Sequence, residues 1–310
     1  MGPVLASLLP VFLVIVLGCV ARTTRFVEDR HWAGLERVTY VVFFPALVID
    51  TLASADLASV PLAGVSGALI LAILLVAALL LAIRPALRDR AGLDGPGFTS
   101  LFQGATRWNT FVGISVAGSL HGPRGVTVMA VAIAAMVPLL NALALAVLVR
   151  FAAARPQTAR EIAVAFATNP FIWSCAAGLA LNPVSHLLPT PVGSALDIVG
   201  GAALATGLLV VGAGLDPARL VRPRSVHWLA AALKLVLLPL VAVSLARLLG
   251  VDGPDLAVTA VAAAVPTASA SYLLAKELGG DAPLMAEIIT VQTVAALATM
   301  PIVLSLLLPS

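Results

Sequence analysis

Long apolar stretches alternate with short polar connectors along almost the whole chain. An apolar run of about 20 residues can cross a bilayer as an α-helix. Stretches of about that length cover residues 3–21, 33–54, 61–83, 97–120, 125–149, 159–181, 193–215, 226–248, 256–278 and 284–308. The alternation of apolar and polar residues that marks barrel strands is absent. We therefore predict an all-α membrane protein with ten transmembrane helices, here named spans 1 to 10.

Short sequence elements recur between the two halves of the chain at a nearly constant spacing. The matches are Asp94-Gly95-Pro96 with Asp252-Gly253-Pro254 at a spacing of 158 residues, and Pro10, Gly18 and Asp56 with Pro170, Gly178 and Asp216 at a spacing of 160. We predict two five-helix repeats, residues 1–150 and 156–310, joined by the polar residues 155–158. Because five is odd, the second repeat enters the membrane from the opposite side, and such inverted repeats are typical of secondary transporters.

The composition argues against a soluble protein and against a nucleic-acid-binding one. The chain is 61% hydrophobic and 11% charged, its mean hydropathy is +1.08 and its net charge is +3, whereas soluble domains have about 25% charged residues. The predicted partners are the lipid bilayer and a small solute, with no nucleic acid. Cys19 and Cys175 lie in separate apolar stretches, so we expect no disulfide framework, no metal site and no cofactor.

The basic residues are distributed very unevenly between alternate connectors. One set of connectors holds fourteen arginines and lysines, whereas the other set holds Arg124 and Arg247. The fourteen are Arg22, Arg25, Arg30, Arg37, Arg84, Arg88, Arg90, Arg150, Arg155, Arg160, Arg219, Arg222, Arg224 and Lys276. Because cytoplasmic loops of membrane proteins are enriched in Lys and Arg, we predict a multi-pass protein of the cell (inner) membrane with both termini outside.

Polar residues interrupt the middles of spans 4 and 9. Span 4 carries Arg107-Trp108-Asn109-Thr110, and span 9 carries Val265-Pro266-Thr267-Ala268-Ser269. Pro266 has no N–H, so the carbonyl of Ala262 loses its helical donor. Span 4 has no proline, but its glycines and Asn109 weaken the helix. We predict that both spans are broken and that they cross at the middle of the membrane.

The broken spans form the predicted binding site for a small organic anion. Two half-helix N-termini would direct their positive ends at one point. Arg107 would add a full charge at a depth where ionised residues usually face a cavity or a partner. The candidate substrate-binding residues are Arg107, Asn109, Thr110, Asn141, Pro266, Thr267, Ser269, Ser271 and Gln292. Alternatives stay open: Arg107 would otherwise form a structural ion pair or cap carbonyls, and Asn141 and Gln292 would link helices.

Two further ionisable residues of the spans have several open roles. Asp50, near the outer end of span 2, is a candidate carrier of a coupling ion, H⁺ or Na⁺, and is otherwise a solvated helix end. Lys234 lies two turns into span 8, and we interpret it as a side chain that extends to the cytoplasmic face.

Several segments resemble the auxin efflux carrier family of the bile/arsenite/riboflavin transporter superfamily. The closest likeness is AVPTASASYLLAKELGGDAPLMAEIITVQTVAALATMPIVLSLL in spans 9 and 10; RWNTFVGISVAG, FFPALVIDTLA, LVVGAGLD and LKLVLLPLV in spans 4, 2, 7 and 8 also resemble family segments. The resemblance implies ten helices with crossed, broken spans 4 and 9. It further implies a carrier of organic anions such as mono- or dicarboxylates or auxin.

The resemblance also marks individual residues. It implies that Asn109, Thr110, Pro266 and Thr267 belong to the site. Many relatives have an asparagine a few positions after the proline of span 9, whereas Ser269 and Ser271 occupy that region here. This departure leaves the ligand and any bound sodium undetermined.

The predicted mechanism is alternating access. A transport bundle of spans 3–5 and 8–10 would move against a scaffold of spans 1, 2, 6 and 7 and carry the central site between the two faces. A second copy of the chain is kept as a candidate partner, in a homodimer.

Three other functions stay open. A sodium-coupled carrier of the bile-acid type would share the architecture. An intramembrane serine protease would use Gly64-Val65-Ser66-Gly67, but it needs a histidine base within reach of Ser66. The histidines, His31, His121, His186 and His227, all lie at span ends or in connectors, so we predict that the chain is not an enzyme. A membrane sensor is the third alternative.

Overall fold

The described parts of the chain consist of helices and short connectors. The computed structural model describes residues 2–152, 158, 160–161, 164, 167–218 and 224–307. It is 87% helix, and no strand occurs within those ranges. Six segments in them are long and apolar enough to cross a membrane: Asp29–Ser54, Leu62–Ala91, Gly95–Phe151, Thr190–Ala213, Ser225–Leu248 and Ala282–Leu307. The predicted all-α membrane class is confirmed at this level.

The helices are numbered in chain order within the described ranges. They are α1 Gly2–Thr23, α2 Asp29–Ser54, α3 Leu62–Ala91, α4 Gly95–Thr106, α5 Thr110–Phe151, α6 Pro170–Leu181, α7 Thr190–Ala213, α8 Ser225–Leu248, α9 Gly253–Ala264, α10 Ala270–Glu277 and α11 Ala282–Leu307. Short 3₁₀ turns, Leu57–Ser59 and Asn182–Leu187, follow α2 and α6.

Two helix boundaries differ from those of the predicted spans. Helix α3 continues beyond the predicted end at residue 83 to Ala91 and stops at Gly92, which adopts the left-handed φ of 63° that glycine tolerates. Helix α6 begins at Pro170, whereas span 6 was predicted from residue 159. Several residues of that stretch lie outside the described ranges, as do Arg155, Pro156 and Gln157 of the predicted linker and Arg219 and Arg222.

Helix α5 is two helical arms rather than one rod. The backbone dihedral angles of His121 (φ −131°, ψ 15°) and Gly122 (φ 56°, ψ −142°) are not helical. A methyl group built on Gly125 would overlap the carbonyl oxygen of Ala117. Residues eight apart in a straight helix are about 12 Å apart along its axis, so the chain folds back here. The first arm belongs to span 4 and the second arm is span 5.

Helices α2 and α8 each contain one π-helical turn that ends two residues before a proline. Thr39–Phe43 precedes Pro45, and Leu233–Leu237 precedes Pro239. Proline has no N–H to donate to the preceding turn, so the local bonding shifts to residues five apart. The backbone N–H groups of Phe44 and Leu238 accordingly donate to the carbonyls five residues earlier.

Two close helix contacts join positions that correspond between the two halves of the chain, with the roles of the halves exchanged. A methyl group built on Gly18 of α1 would overlap the backbone of Leu209 of α7, and one built on Gly178 of α6 would lie 3.2 Å from the Cα of Ile49 of α2. Gly178 follows Gly18 by 160 residues, and Leu209 follows Ile49 by the same 160. Small residues let helix backbones approach closely in membranes.

The central helices α4 and α9 share their surroundings. Each has 12 residues, and their first and last residues are both offset by 158. Residues 97–106 and 255–264 are all buried. Both helices pack against α3, α5, α8 and α11, whereas α7 packs against α1 and α2, and α6 against α2. The hydrophobic core therefore surrounds the two short helices.

Candidate functional site

The two short helices end beside each other at the centre of the core. After α4 the backbone is extended at Arg107 (φ −69°, ψ 159°) and remains non-helical through Asn109. After α9 it is extended at Val265 (φ −64°, ψ 149°). The backbone N–H of Asn109 donates to the carbonyl of Pro266, with an N···O distance of 2.7 Å. We call the two non-helical segments, residues 107–109 and 265–269, the crossing.

Local sequence explains where these helices begin and end. The Asp94 side chain accepts a hydrogen bond from the backbone N–H of Gly97 at 2.8 Å and caps α4. The Asn109 side chain accepts one from the N–H of Val112 at 3.2 Å and caps α5. Both residue types are strongly preferred at helix N-caps. Pro266 prevents α9 from continuing because it offers no N–H.

A buried hydrogen-bond network joins the crossing to α11. Gln292 Nε2 donates to the carbonyl of Gly104 at 2.7 Å, and Gln292 Oε1 accepts from the backbone N–H of Thr267 at 3.1 Å. The Thr267 hydroxyl lies 2.8 Å from the same Gly104 oxygen and 2.7 Å from Gln292 Oε1. Both side chains are fully buried. This network satisfies backbone groups that the two helix breaks leave without helical partners.

Lys234 also reaches the crossing, which corrects its sequence-based interpretation. The side chain is fully buried, and Nζ donates to the carbonyl of Ala263 at 2.8 Å. It therefore does not extend to a membrane face. The carbonyl groups of a helix C-terminus attract a cation, and Lys234 Nζ lies at the C-terminus of α9.

A cavity of about 470 Å³ opens beside the crossing. Its wall combines one arginine of the crossing with residues of α2, α5, the connector before α6, and α10. The lining residues are Ala33, Glu36, Arg37, Tyr40, Val41, Arg107, Asn141, Asn169, Ala270, Leu273, Leu274 and Glu277. We call it the Arg107 cavity. Two recesses of about 50 Å³ share Tyr40 with it and are also lined by Trp108, Asn109, Thr110, Phe171 and Ser269.

Arg107 supplies a charge that no described carboxylate neutralises. Its Nη1 is buried and has no hydrogen-bond partner in the described structure. No ion pair of Arg107 with any described acidic residue is present, in contrast to the pair of Arg124 with Asp255. A buried guanidinium with an unused donor is costly unless an anion or water completes its bonding. Arg107 can therefore pair with a carboxylate bound in the cavity.

The predicted site residues fall into two groups. Arg107, Thr110 and Asn141 line the Arg107 cavity or its recesses, together with Asn109 and Ser269. Pro266, Thr267, Ser271 and Gln292 lie in the packed interior and line none of these cavities. Within this second group, Thr267 and Gln292 hold the crossing together, which is the helix-linking alternative for Gln292.

Sequence reasoning missed the contributions of α2 to the cavity. Tyr40 and Glu36 lie one helical turn apart and line the cavity together with Asn169. One signal was available: Tyr40 and Tyr272 are the two tyrosines of the chain, and both line cavities. Tyrosine combines an apolar ring with a polar group and suits such walls.

Asp50, the predicted coupling residue, lies away from these cavities. It is half-buried on α2 and lines none of them. No group of three or more His, Cys, Asp or Glu residues within the described ranges is arranged to hold a metal ion.

The Gly64-Val65-Ser66-Gly67 motif packs α3 against the turn that follows α8. A methyl group on Gly64 would lie 2.5 Å from Val251 Cγ2, and one on Gly67 would lie 3.4 Å from Leu249 Cδ1. The glycines of the motif therefore provide space for a neighbouring turn.

Comparison with known proteins identifies a transport domain in the second half of the chain. Residues 157–304 match the family model described as membrane transport protein. The matched family is a transport family and not an enzyme family. No curated protein matches the chain.

Proposed function

We propose that the protein belongs to the auxin efflux carrier family and carries a small organic anion across the cell membrane by alternating access, because residues 157–304 match a membrane transport family. The single observation that carries the choice of an anion is Arg107, whose buried Nη1 has no described partner beside a cavity of about 470 Å³. Candidate anions are mono- and dicarboxylates and auxin-like aromatic acids.

The proposed architecture is ten spans in two inverted five-helix repeats, residues 1–150 and 156–310. Two findings support it: α4 and α9 have the same length at an offset of 158, and the contact of Gly18 with Leu209 recurs as that of Gly178 with Ile49. A two-fold relation between halves produces such exchanged pairs. The contacts of α4 and α9 with α3, α5, α8 and α11 support a transport bundle, and those of α7 with α1 and α2 support a scaffold.

The proposed binding site is centred on Arg107, with Asn109, Thr110, Asn141 and Ser269 around it. The first residue of α5, Thr110, and the first residue of α10, Ala270, line the same recesses. Helix N-termini carry partial positive charge and offer free N–H groups. Arg107 would bind one carboxylate, while Tyr40, Trp108 and Phe171 would pack against the apolar body of the anion.

The state described here is proposed to be open to the cytoplasm. The Arg107 cavity reaches Arg37 in the first half of α2 and Glu277 at the end of α10, on the side of the most basic connectors, which are expected in the cytoplasm. On the other side, Arg124 binds Asp255 at 2.7 Å and the carbonyl of Ser59 at 2.8 Å. The proposed topology places both termini outside the cell. H⁺ or Na⁺ would be the coupling ion where the transport is coupled.

The test uses purified protein in proteoliposomes. A thermal-shift screen of acetate, benzoate, succinate, malate and indole-3-acetate selects the carboxylate that stabilises the parent protein most, and its uptake is then measured. We expect Arg107→Gln to lower uptake by about 100-fold, because about 3 kcal/mol is typical of a lost charge-assisted hydrogen bond.

Arg90→Gln is the matched control, because Arg90 is exposed at the end of α3, and it should keep the parent rate. Parent-level uptake by Arg107→Gln would exclude the proposed site. No uptake of any of the five acids by the parent protein would contradict the proposed substrate class.

A further inference from the structure

Two carbonyl groups at the end of α9 lack their ordinary helical donors. The donor for Ala262 would be the nitrogen of residue 266, which is a proline and has no hydrogen. The donor for Ala263 would be the N–H of Thr267, which instead donates to Gln292 Oε1 at 3.1 Å. The break therefore leaves carbonyl oxygens at the C-terminus of a helix, where the helix dipole adds negative partial charge.

The side-chain amine of Lys234 already occupies this position. Lys234 Nζ donates to the carbonyl oxygen of Ala263 at 2.8 Å, and the whole residue has a relative exposure of 0%. Lys234 forms no ion pair with any acidic residue in the described ranges. Its attraction to the protein therefore comes from backbone carbonyl dipoles and not from a carboxylate.

Helix C-termini and unwound carbonyl oxygens are the groups that coordinate a coupling cation in secondary transporters. Hard cations such as Na⁺ and Ca²⁺ take oxygen ligands of this kind, and an ammonium ion offers the same unit charge with three directed N–H donors. A primary amine and a metal ion compete for the same carbonyl oxygens, so the site holds one of them at a time.

We propose that Lys234 is a tethered cation that replaces a bound Na⁺ at the end of α9, so that the crossing is assembled and transport proceeds without sodium. The proposal rests on the proposed function. Lys234 is a positioning residue: it touches the helix break and not the Arg107 cavity. It also joins α8 to α9, since the π turn Leu233–Leu237 that carries it packs against α4, α9 and α11.

The first arm of the test needs no variant. Uptake of the carboxylate selected by the thermal-shift screen is measured in proteoliposomes with NaCl, KCl or choline chloride on both sides. We expect the three rates to agree within about twofold, because the cation site is filled by the protein itself. A rate in NaCl that exceeds the others by about tenfold would overturn the proposal and favour a sodium-coupled carrier.

The second arm removes the charge. Lys234→Met keeps the length of the side chain without its charge, and Lys234→Ala leaves space for a small cation. Both should lose about tenfold or more in uptake. Propylammonium or Na⁺ at high concentration should restore part of the rate of Lys234→Ala, but not that of Lys234→Met, whose side chain fills the space. Lys276→Met is the control: Lys276 is the other lysine of the chain, is exposed, and should keep the parent rate.

A stability measurement separates this proposal from the proposed function. Thermal unfolding of the detergent-solubilised variants needs no substrate, so it remains valid where no carboxylate is transported. Propylammonium should raise the melting temperature of Lys234→Ala by several degrees more than that of Lys234→Met or of the parent protein. Equal effects on all three proteins, or parent-level uptake by Lys234→Met, would show that Lys234 is not a replacement cation.

Discussion

At the scale of single residues, one hydroxyl and one amide connect three helices at the crossing. Gln292 of α11 bonds both the carbonyl of Gly104 in α4 and the N–H of Thr267 after α9. In hydrocarbon no water would replace these bonds, so each backbone group needs a protein partner. The two residues therefore contribute to the stability of the breaks.

This network predicts that substitutions of Gln292 and Thr267 change the free energy of unfolding by different amounts. Gln292→Leu leaves the buried N–H of Thr267 without a partner and should lower the free energy of unfolding by about 1–3 kcal/mol. Thr267→Val retains that N–H···Oε1 bond and leaves Gln292 Nε2 on the Gly104 carbonyl, so it should cost about 1 kcal/mol. Thermal unfolding in detergent measures both. The opposite order of the two losses would contradict the network.

At the scale of the helices, the contact between α1 and α7 depends on glycines that permit backbone approach. A methyl group on Gly212 would overlap the carbonyl oxygen of Ile15 and the turn of α1 that follows it. Nothing lies within 4 Å of the corresponding methyl position on Gly201, which belongs to the same helix. Helix α7 thus offers a matched pair of glycines that differ only in their packing.

The pair gives a direct test of this contact. Gly212→Ala should lower the free energy of unfolding by about 1–3 kcal/mol because the two helices must separate or distort. Gly201→Ala should be neutral or stabilising by up to about 1 kcal/mol through its higher helix propensity. Melting temperatures of the purified variants measure the difference. Equal stability of the two would mean that α1 and α7 are not packed backbone to backbone.

The helix breaks were predictable from sequence because their causes are local. Pro266 removes its own N–H, and Asn109 caps its own helix, so each acts within one turn of the chain. The distribution of the site residues was not predictable in the same way. Whether Gln292 lines the cavity or binds Gly104 depends on how α11 is rotated against α4, and Tyr40 enters the cavity only because α2 packs beside the crossing. Such choices are made by tertiary packing between residues that are far apart in the sequence.

At the scale of the whole molecule, the turn before α11 and the turn within α5 each pack beside the start of a short central helix. The N–H of Asp281, in the turn before α11, donates to the carbonyl of Pro96 at the start of α4 at 3.3 Å. In the other half, Arg124 follows the turn within α5 and binds Asp255 at the start of α9. Exchanging the halves relates the two arrangements approximately, which is what two inverted repeats require.

The proposed inverted arrangement predicts opposite membrane sides for equivalent connectors. Arg90 and Asp252 lie just before α4 and α9 respectively, and both are exposed. In a background of Cys19→Ser and Cys175→Ser, Asp252→Cys should react with a membrane-impermeant maleimide in intact cells, and Arg90→Cys should react only after permeabilisation. The physical reason is the clustering of basic residues, which favours a cytoplasmic position for the connector at Arg90. Labelling of both cysteines from the same side would mean that the repeats are parallel, and the two central helices could not then approach the crossing from opposite faces.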